Sequence, residues 1–342
     1  MKAIAKARPA PGADLIELAE PQLKPGHVKL RVQYGSVCGT DLHIFEWDEW
    51  AASRIHPPRV IGHEFAGIVE EVGNGVVHLK PGDFVATESH IVCGSCRQCK
   101  LGQGHVCVNT SILGVDVDGG FAPWAVIPEA NARLTPSNIP ADIACMQDPL
   151  GNAVHTALAG PVEGQDILIT GLGPIGLFAA AVCKALGAKS IAATEVSEFR
   201  IGLGRQVGID LIVNPMKEDA NKILRCEYPM GVDGVLEMSG HPSSLDLAIE
   251  MVRPGGRISL LGVFHEQSVG VAMNKAIFKG ADLQCIVGRR LWETWGQMGA
   301  LLASGKLDVS PIVTHRFHYT EFTEAMELLQ KGAAGKVVFS ME

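Results

Sequence analysis

The stretch Asp166-Ile-Leu-Ile-Thr170-Gly171-Leu-Gly173-Pro-Ile175-Gly176-Leu-Phe-Ala-Ala180 decides the fold. An apolar run reads as a strand, a glycine-rich turn follows, and Ile175 to Leu186 reads as a helix. That order suits a dinucleotide. Gly171 permits the tight turn, Gly173 brings bare backbone up to a pyrophosphate, Gly176 lets helix and strand approach, and the helix N-terminus favours negative charge. Glu195 ends the next strand-like run, 19 residues after Gly176. A carboxylate there accepts from a ribose 2′-hydroxyl and repels a 2′-phosphate, so NAD is expected over NADP. Arg200 leaves two readings open, a partner for a phosphate or a surface that packs on adenine.

The same texture continues on both sides. Apolar runs recur at Ser190 to Glu195, Leu211 to Asn214, Val235 to Glu237, Arg257 to Gly262 and Leu283 to Val287, with helix-length segments between most of them. Six strands alternating with helices imply right-handed crossovers and a doubly wound parallel sheet covered on both faces. Before residue 150 the chain reads differently, as short strands such as Val28 to Tyr34, Phe65 to Val72 and Phe84 to Ala86 separated by turns. A helix at Phe322 to Gln330 and a strand at Lys336 to Ser340 close the chain, as if returning to that first part. A chain of 342 residues exceeds what one core usually organises, so two domains are expected.

Composition narrows the class of partner. With 29 Lys+Arg against 37 Asp+Glu, the net charge of −8 repels nucleic acid and anionic lipid. The uncharged window Ile167 to Cys183 is broken by three glycines and Pro174 in its first half, so no membrane span is expected. No signal peptide is visible in Met1 to Arg8, and a cytoplasmic protein is expected.

Nine cysteines fall into two kinds. Cys93, Cys96, Cys99 and Cys107 have the spacing C-x2-C-x2-C-x7-C, which closes a tetrahedral structural zinc site within one glycine-rich lobe. A ferredoxin-type cluster would want a shorter last gap followed by proline, and Val108 follows instead. Cys145, Cys183, Cys226 and Cys285 stand singly in apolar surroundings and read as small core residues. Cys38, with His63 and Glu64 further on, offers a thiolate, an imidazole and a carboxylate. Three such ligands would leave a coordination position open for water or an alcohol, the catalytic pattern, whereas a lone cysteine or histidine on a strand more often only packs. Asp148, just before the nucleotide domain, is expected to line a cleft between domains.

The words Cys38-Gly-Thr40-Asp-Leu-His43, Gly62-His63-Glu64, the four-cysteine lobe and Gly171-Leu-Gly-Pro-Ile-Gly176, in this order, resemble the zinc-containing medium-chain dehydrogenases over essentially the whole chain. The resemblance implies an α/β protein: a GroES-like, mostly-β catalytic domain at 1–149, to which 291–342 returns, and a Rossmann domain at 150–290. It implies two zinc ions per subunit, one structural and one catalytic on Cys38, His63 and Glu64, with Asp148 assisting zinc or proton movement. It also implies a proton relay through Thr40 and His43, and NAD contacts at Ile175, Glu195, Arg200, Leu261, Gly262, Val263, Ile286 and Val287. A homotetramer is implied as well. Local words such as Phe45-Glu-Trp-Asp-Glu-Trp50 and Glu88-Ser-His90 narrow the resemblance to members that oxidise the 3-hydroxyl of L-threonine.

Three points stay open on the residues themselves. Thr40 either relays a proton or only caps a helix beginning near Asp41, and His43 either relays or only packs. His90 is the candidate for the substrate pocket, and Trp47 with Trp50 either wall it or belong to the core. The segment Arg289 to Trp295 is either a cofactor-responsive loop or a subunit contact. A polyol or butanediol dehydrogenase, or a nucleotide-binding protein that has lost catalysis, are the competing functions.

Overall fold

Asp166–Thr170 forms a strand buried over its last four residues, and Pro174–Ala185 follows it as a helix with Pro174 in the first turn. Proline suits that position because its missing N–H has no intrahelical partner there. Gly171 takes φ +90, and a Cβ on Gly176 would run into the Gly171 carbonyl oxygen. Strand and helix can therefore approach only with glycine at both places.

The computed structural model describes all residues, Met1 to Glu342. Two compact units emerge: Met1–Pro149 with Val313–Glu342, and Leu150–Ile312. In the second, six parallel strands lie in the order Leu211–Val213, Ser190–Thr194, Asp166–Thr170, Val232–Glu237, Val252–Leu260, Asp282–Cys285. Numbered along the unit this is 3-2-1-4-5-6, the Rossmann order, whose reversal beside the first strand leaves a crevice at the carboxyl ends.

The first unit is mostly β. Its largest sheet runs Ala132–Leu134, Phe84–Thr87, Glu64–Val72, His27–Val37, Lys336–Ser340, Val313–His318, with Trp124–Pro128 also paired to His27–Val37. Lys336–Ser340 pairs antiparallel with His27–Val37 and parallel with Val313–His318. The last strand of the chain thus lies between the strand leading to Cys38 and its own predecessor. Ile4, Leu30, Phe65, Phe121 and Phe339 fill the core of this unit.

Two expectations change. The return to the first unit begins at Val313, not at residue 291: Ser310–Ile312 packs on the helices Pro174–Ala185 and Glu198–Val207, and keeps 291–312 with the nucleotide unit. Cys145 and Cys183 are buried, but Cys226 and Cys285 are exposed, the first near the end of helix Ala220–Glu227 and the second at the end of the edge strand. Apolar neighbours in sequence did not translate into burial, because only one face of each element meets the core.

Gly176→Ala is expected to destabilise the nucleotide unit by about 1–3 kcal/mol through overpacking. Gly173→Ala, whose added Cβ meets nothing within 4 Å, is expected to stay within about 0.5 kcal/mol of wild type in denaturant unfolding.

Candidate active site and metal centres

Cys38 is the N-cap of helix Gly39–Glu46: its sulfur accepts the Thr40 N–H at 3.2 Å, and its own N–H donates to Asp41 Oδ2 at 3.0 Å. The cap is therefore Cys38 and not Thr40. This reciprocal box fixes the thiol at a helix N-terminus, where the backbone field favours a thiolate. Gly62 holds φ +87 with the Phe121 ring where a Cβ would stand, so only glycine lets the chain turn there into His63. Glu64 begins the strand Glu64–Val72, directly opposite Ser36 in the ladder.

The donor atoms of Cys38, His63 and Glu64 come within 4.8 Å of one another, with Cys38 Sγ 3.1 Å from His63 Nε2. Asp41 Oδ1 stands 3.9 Å from His63 Nδ1, and neither atom has a hydrogen-bond partner. A carboxylate behind the far nitrogen of a metal-binding imidazole fixes its tautomer and raises its basicity. The sequence signal for Asp41 was there, an acid three residues after the cap, but it reads first as helix capping. Burial pushes the Cys38 thiol up, against the pull of His63; burial pushes His63 down, yet Cys38, Asp41 and Glu64 outweigh it and hold the imidazole well above its ordinary value. Buried sulfur, nitrogen and oxygen donors gathered this closely fit a divalent cation of the zinc type.

Glu64 has two further partners that the sequence did not suggest. Ser36 Oγ and Lys336 Nζ both donate to its Oε2, and Lys336 also donates to the Val37 carbonyl at 2.8 Å. Burial disfavours the Lys336 charge, but Glu64 and Cys38 outweigh that and raise its pKa.

The remaining site residues of the first unit are held individually. His43 is exposed, its Nδ1 2.6 Å from Asp48 Oδ2 and its ring edge-on to Trp50. Asp48 is itself fixed, since its other oxygen caps helix Glu49–Arg54 through the Ala51 N–H at 2.9 Å. Trp47 packs against the core, with the Lys6 ammonium 4.7 Å from its ring centre. It is only partly buried there, and Trp50 is exposed beside His43. Asp148 Oδ2 accepts the Ser89 N–H at 2.9 Å and is not among the three clustered donors. His90 Nδ1 lies 3.1 Å from Oε1 of the fully buried Glu88.

The four lobe cysteines form the second donor group, also within 4.8 Å. Backbone amides of Cys93, Cys96 and Asn109 donate to the sulfurs at 3.4 Å, which offsets thiolate charge. Donors from Ser95 and Cys96 lower the Cys93 thiol to about 5. Four sulfurs leave no position for a substrate, as a structural zinc requires.

In the nucleotide unit a crevice of about 390 Å³ is lined by Gly171, Gly173, Glu195, Arg200, Met216 and Ser239 among others. Glu195 is buried: Oε2 accepts the Leu172 N–H at 2.7 Å and Oε1 those of Val196 and Ser197 at 2.9 Å, with the Arg200 guanidinium 3.6 Å away. Glu237 holds the neighbouring turn, accepting from Ser239 at 2.9 Å and Gly240 at 3.0 Å. Leu261, Gly262 and Val263 follow the fifth strand, and Ile286 and Val287 follow the sixth. Ile175 lies in the first turn of helix Pro174–Ala185. A bare backbone at Gly173, open space beside it and an acid in the crevice fit a dinucleotide. Arg289, in the segment read from sequence as a cofactor-responsive loop or a subunit contact, is buried, and its guanidinium donates to Asn152 Oδ1 at 3.0 Å.

This fold with an open and a closed metal centre defines a zinc-dependent dehydrogenase. The models for the alcohol dehydrogenase GroES-like domain and the zinc-binding dehydrogenase match residues 24–137 and 174–304. The chain belongs to this zinc-binding dehydrogenase family. It is 49% identical to the L-threonine 3-dehydrogenase of Thermococcus kodakarensis, over 99% of this chain and 97% of the relative. Among solved structures, an Escherichia coli CFT073 alcohol dehydrogenase complexed with NADH is 28% identical with a TM-score of 0.90, each chain covered to 99%. The 2R,3R-butanediol dehydrogenase of Bacillus subtilis is 25% identical with a TM-score of 0.90, again over 99% of both chains.

Asp41→Asn is expected to weaken metal binding at Cys38, His63 and Glu64 by about 10- to 100-fold, read by chelator competition. In metal-stripped protein, a Cys93 thiol lowered to about 5 is thiolate at neutral pH. Its alkylation, followed by mass spectrometry, is expected to be at its plateau at about pH 7 and to slow as pH falls through about 5.

Proposed function

We propose that the protein is an L-threonine 3-dehydrogenase: L-threonine and NAD⁺ give 2-amino-3-oxobutanoate, NADH and a proton. The observation that carries this reading is the 49% identity with an L-threonine 3-dehydrogenase over 99% of the chain. The intact Cys38, His63 and Glu64 donor set supports it. When bound, zinc supplies Lewis acidity that makes a secondary hydroxyl easier to deprotonate, and the nicotinamide supplies the hydride acceptor.

The chain's own residues do the rest. Cys38, His63 and Glu64 would hold the metal, with the Asp41 carboxylate 3.9 Å behind the imidazole to orient it. Thr40 and His43 pass the hydroxyl proton outward. Asp48 engages His43 Nδ1, so Nε2 is the nitrogen left to accept it, and the exposed ring hands it to solvent. Asp148 assists proton or metal movement from its seat on the Ser89 amide. His90, steadied by Glu88, is the candidate contact for the amino-acid part of the substrate. Glu195 carries the choice of NAD, since a buried carboxylate in the crevice disfavours a 2′-phosphate; Arg200 is paired to it.

A homotetramer in the cytoplasm completes the reading. Asp282–Cys285 is an unpaired sheet edge, and Ile277, Phe278 and Val287 nearby in sequence are exposed, which supports self-association. A butanediol or polyol dehydrogenase is the second reading, favoured by the shared fold with the butanediol enzyme.

The test is zinc-replete protein with NAD, following reduced nicotinamide against L-threonine, 2,3-butanediol and sorbitol. The highest kcat/KM is expected with threonine. Higher kcat/KM on either diol or polyol overturns the substrate, and no turnover with any alcohol overturns catalysis.

A further inference from the structure

We propose that Lys336 is a positioning residue that confines Glu64 to a single donor oxygen at the open metal centre, and so keeps a coordination position free for the substrate hydroxyl. The proposal rests on the reading of Cys38, His63 and Glu64 as that centre. Glu64 Oε2 is committed twice, to Ser36 Oγ and to the Lys336 ammonium. Lys336 is anchored in turn on the Val37 carbonyl at 2.8 Å. Ser36, Glu64 and Lys336 are exposed by 0%, 2% and 1%, so water does not compete for these contacts. A carboxylate with one oxygen held by a hydroxyl and a cation has only the other to offer a metal.

The geometry cannot easily relax. Ser36 stands opposite both Glu64 and Val338 in the ladder, so three adjacent strands set the positions of the serine, the glutamate and the lysine. With a neutral side chain at 336, Glu64 is free to swing both oxygens onto the metal and fill the open position.

The experiment uses the full-length enzyme exchanged with cobalt(II). Subtracting the visible spectrum of Cys38→Ala, in which the cysteine lobe alone keeps its sulfur donors, isolates the open centre. In Lys336→Met, of similar length and no charge, the d–d bands of that centre are expected to weaken by at least about twofold as coordination expands from tetrahedral. Added imidazole should no longer perturb them, and kcat should fall about 10- to 100-fold. Bands and an imidazole response equal to wild type overturn the proposal. Ser36→Ala, which removes one of the two donors from the same oxygen, guards against misfolding of the lysine variant. It is expected to move the spectrum in the same direction, and an unchanged spectrum there overturns the proposal as well. Wild-type protein with no difference spectrum overturns the metal reading itself, and the clamp with it.

Discussion

The pairing of Lys336–Ser340 with His27–Val37 is the constraint on which the metal centre depends. It brings residues some three hundred positions apart in the chain into one ladder and delivers a buried cation beside Glu64. Without that strand the donor set would keep its sulfur, imidazole and carboxylate, but Glu64 would lose its cationic partner in a desolvated place. A buried charge is tolerated when it is paired and hydrogen-bonded, and Glu64 and Lys336 are both. Stability of the first unit and the chemistry of its site therefore depend on the same contact.

The two donor groups differ in how they are built. The lobe cysteines lie within fifteen residues of one another, and their geometry comes from tight local backbone and from amides aimed at sulfur. The open centre draws on a helix cap at Cys38, a glycine-enforced turn before His63, a strand end at Glu64 and the last strand of the chain. A closed site can be local because it needs only four sulfurs. A site that must hold three donors and leave a fourth position free needs rigid elements behind each donor.

In the nucleotide unit, two buried glutamates organise the crevice. Glu195 gathers the amides of Leu172, Val196 and Ser197, and Glu237 those of Ser239 and Gly240. Each turns a loop at a strand end into a fixed surface. The position of Glu195 beside the glycine turn was legible from its spacing, but its hold on the Leu172 amide was not. Nothing in sequence spacing says which backbone donors a carboxylate will find.

Local physics written in the sequence determined the six-strand parallel sheet, the glycine turn and the four-sulfur lobe, whereas Cys38, His63 and Glu64 stood out as one set only through the family resemblance. The first three rest on periodicity or on spacing within a few tens of residues, where chain geometry leaves few alternatives. The tertiary structure alone decided that Lys336 and Ser36 grip Glu64, that Asp41 faces His63, that Asp48 takes one nitrogen of His43, and that the return to the first unit starts at Val313. It also decided that Cys226 and Cys285 face outward. These outcomes depend on which faces meet after the chain has closed on itself, and a linear pattern of residue types carries no record of that meeting.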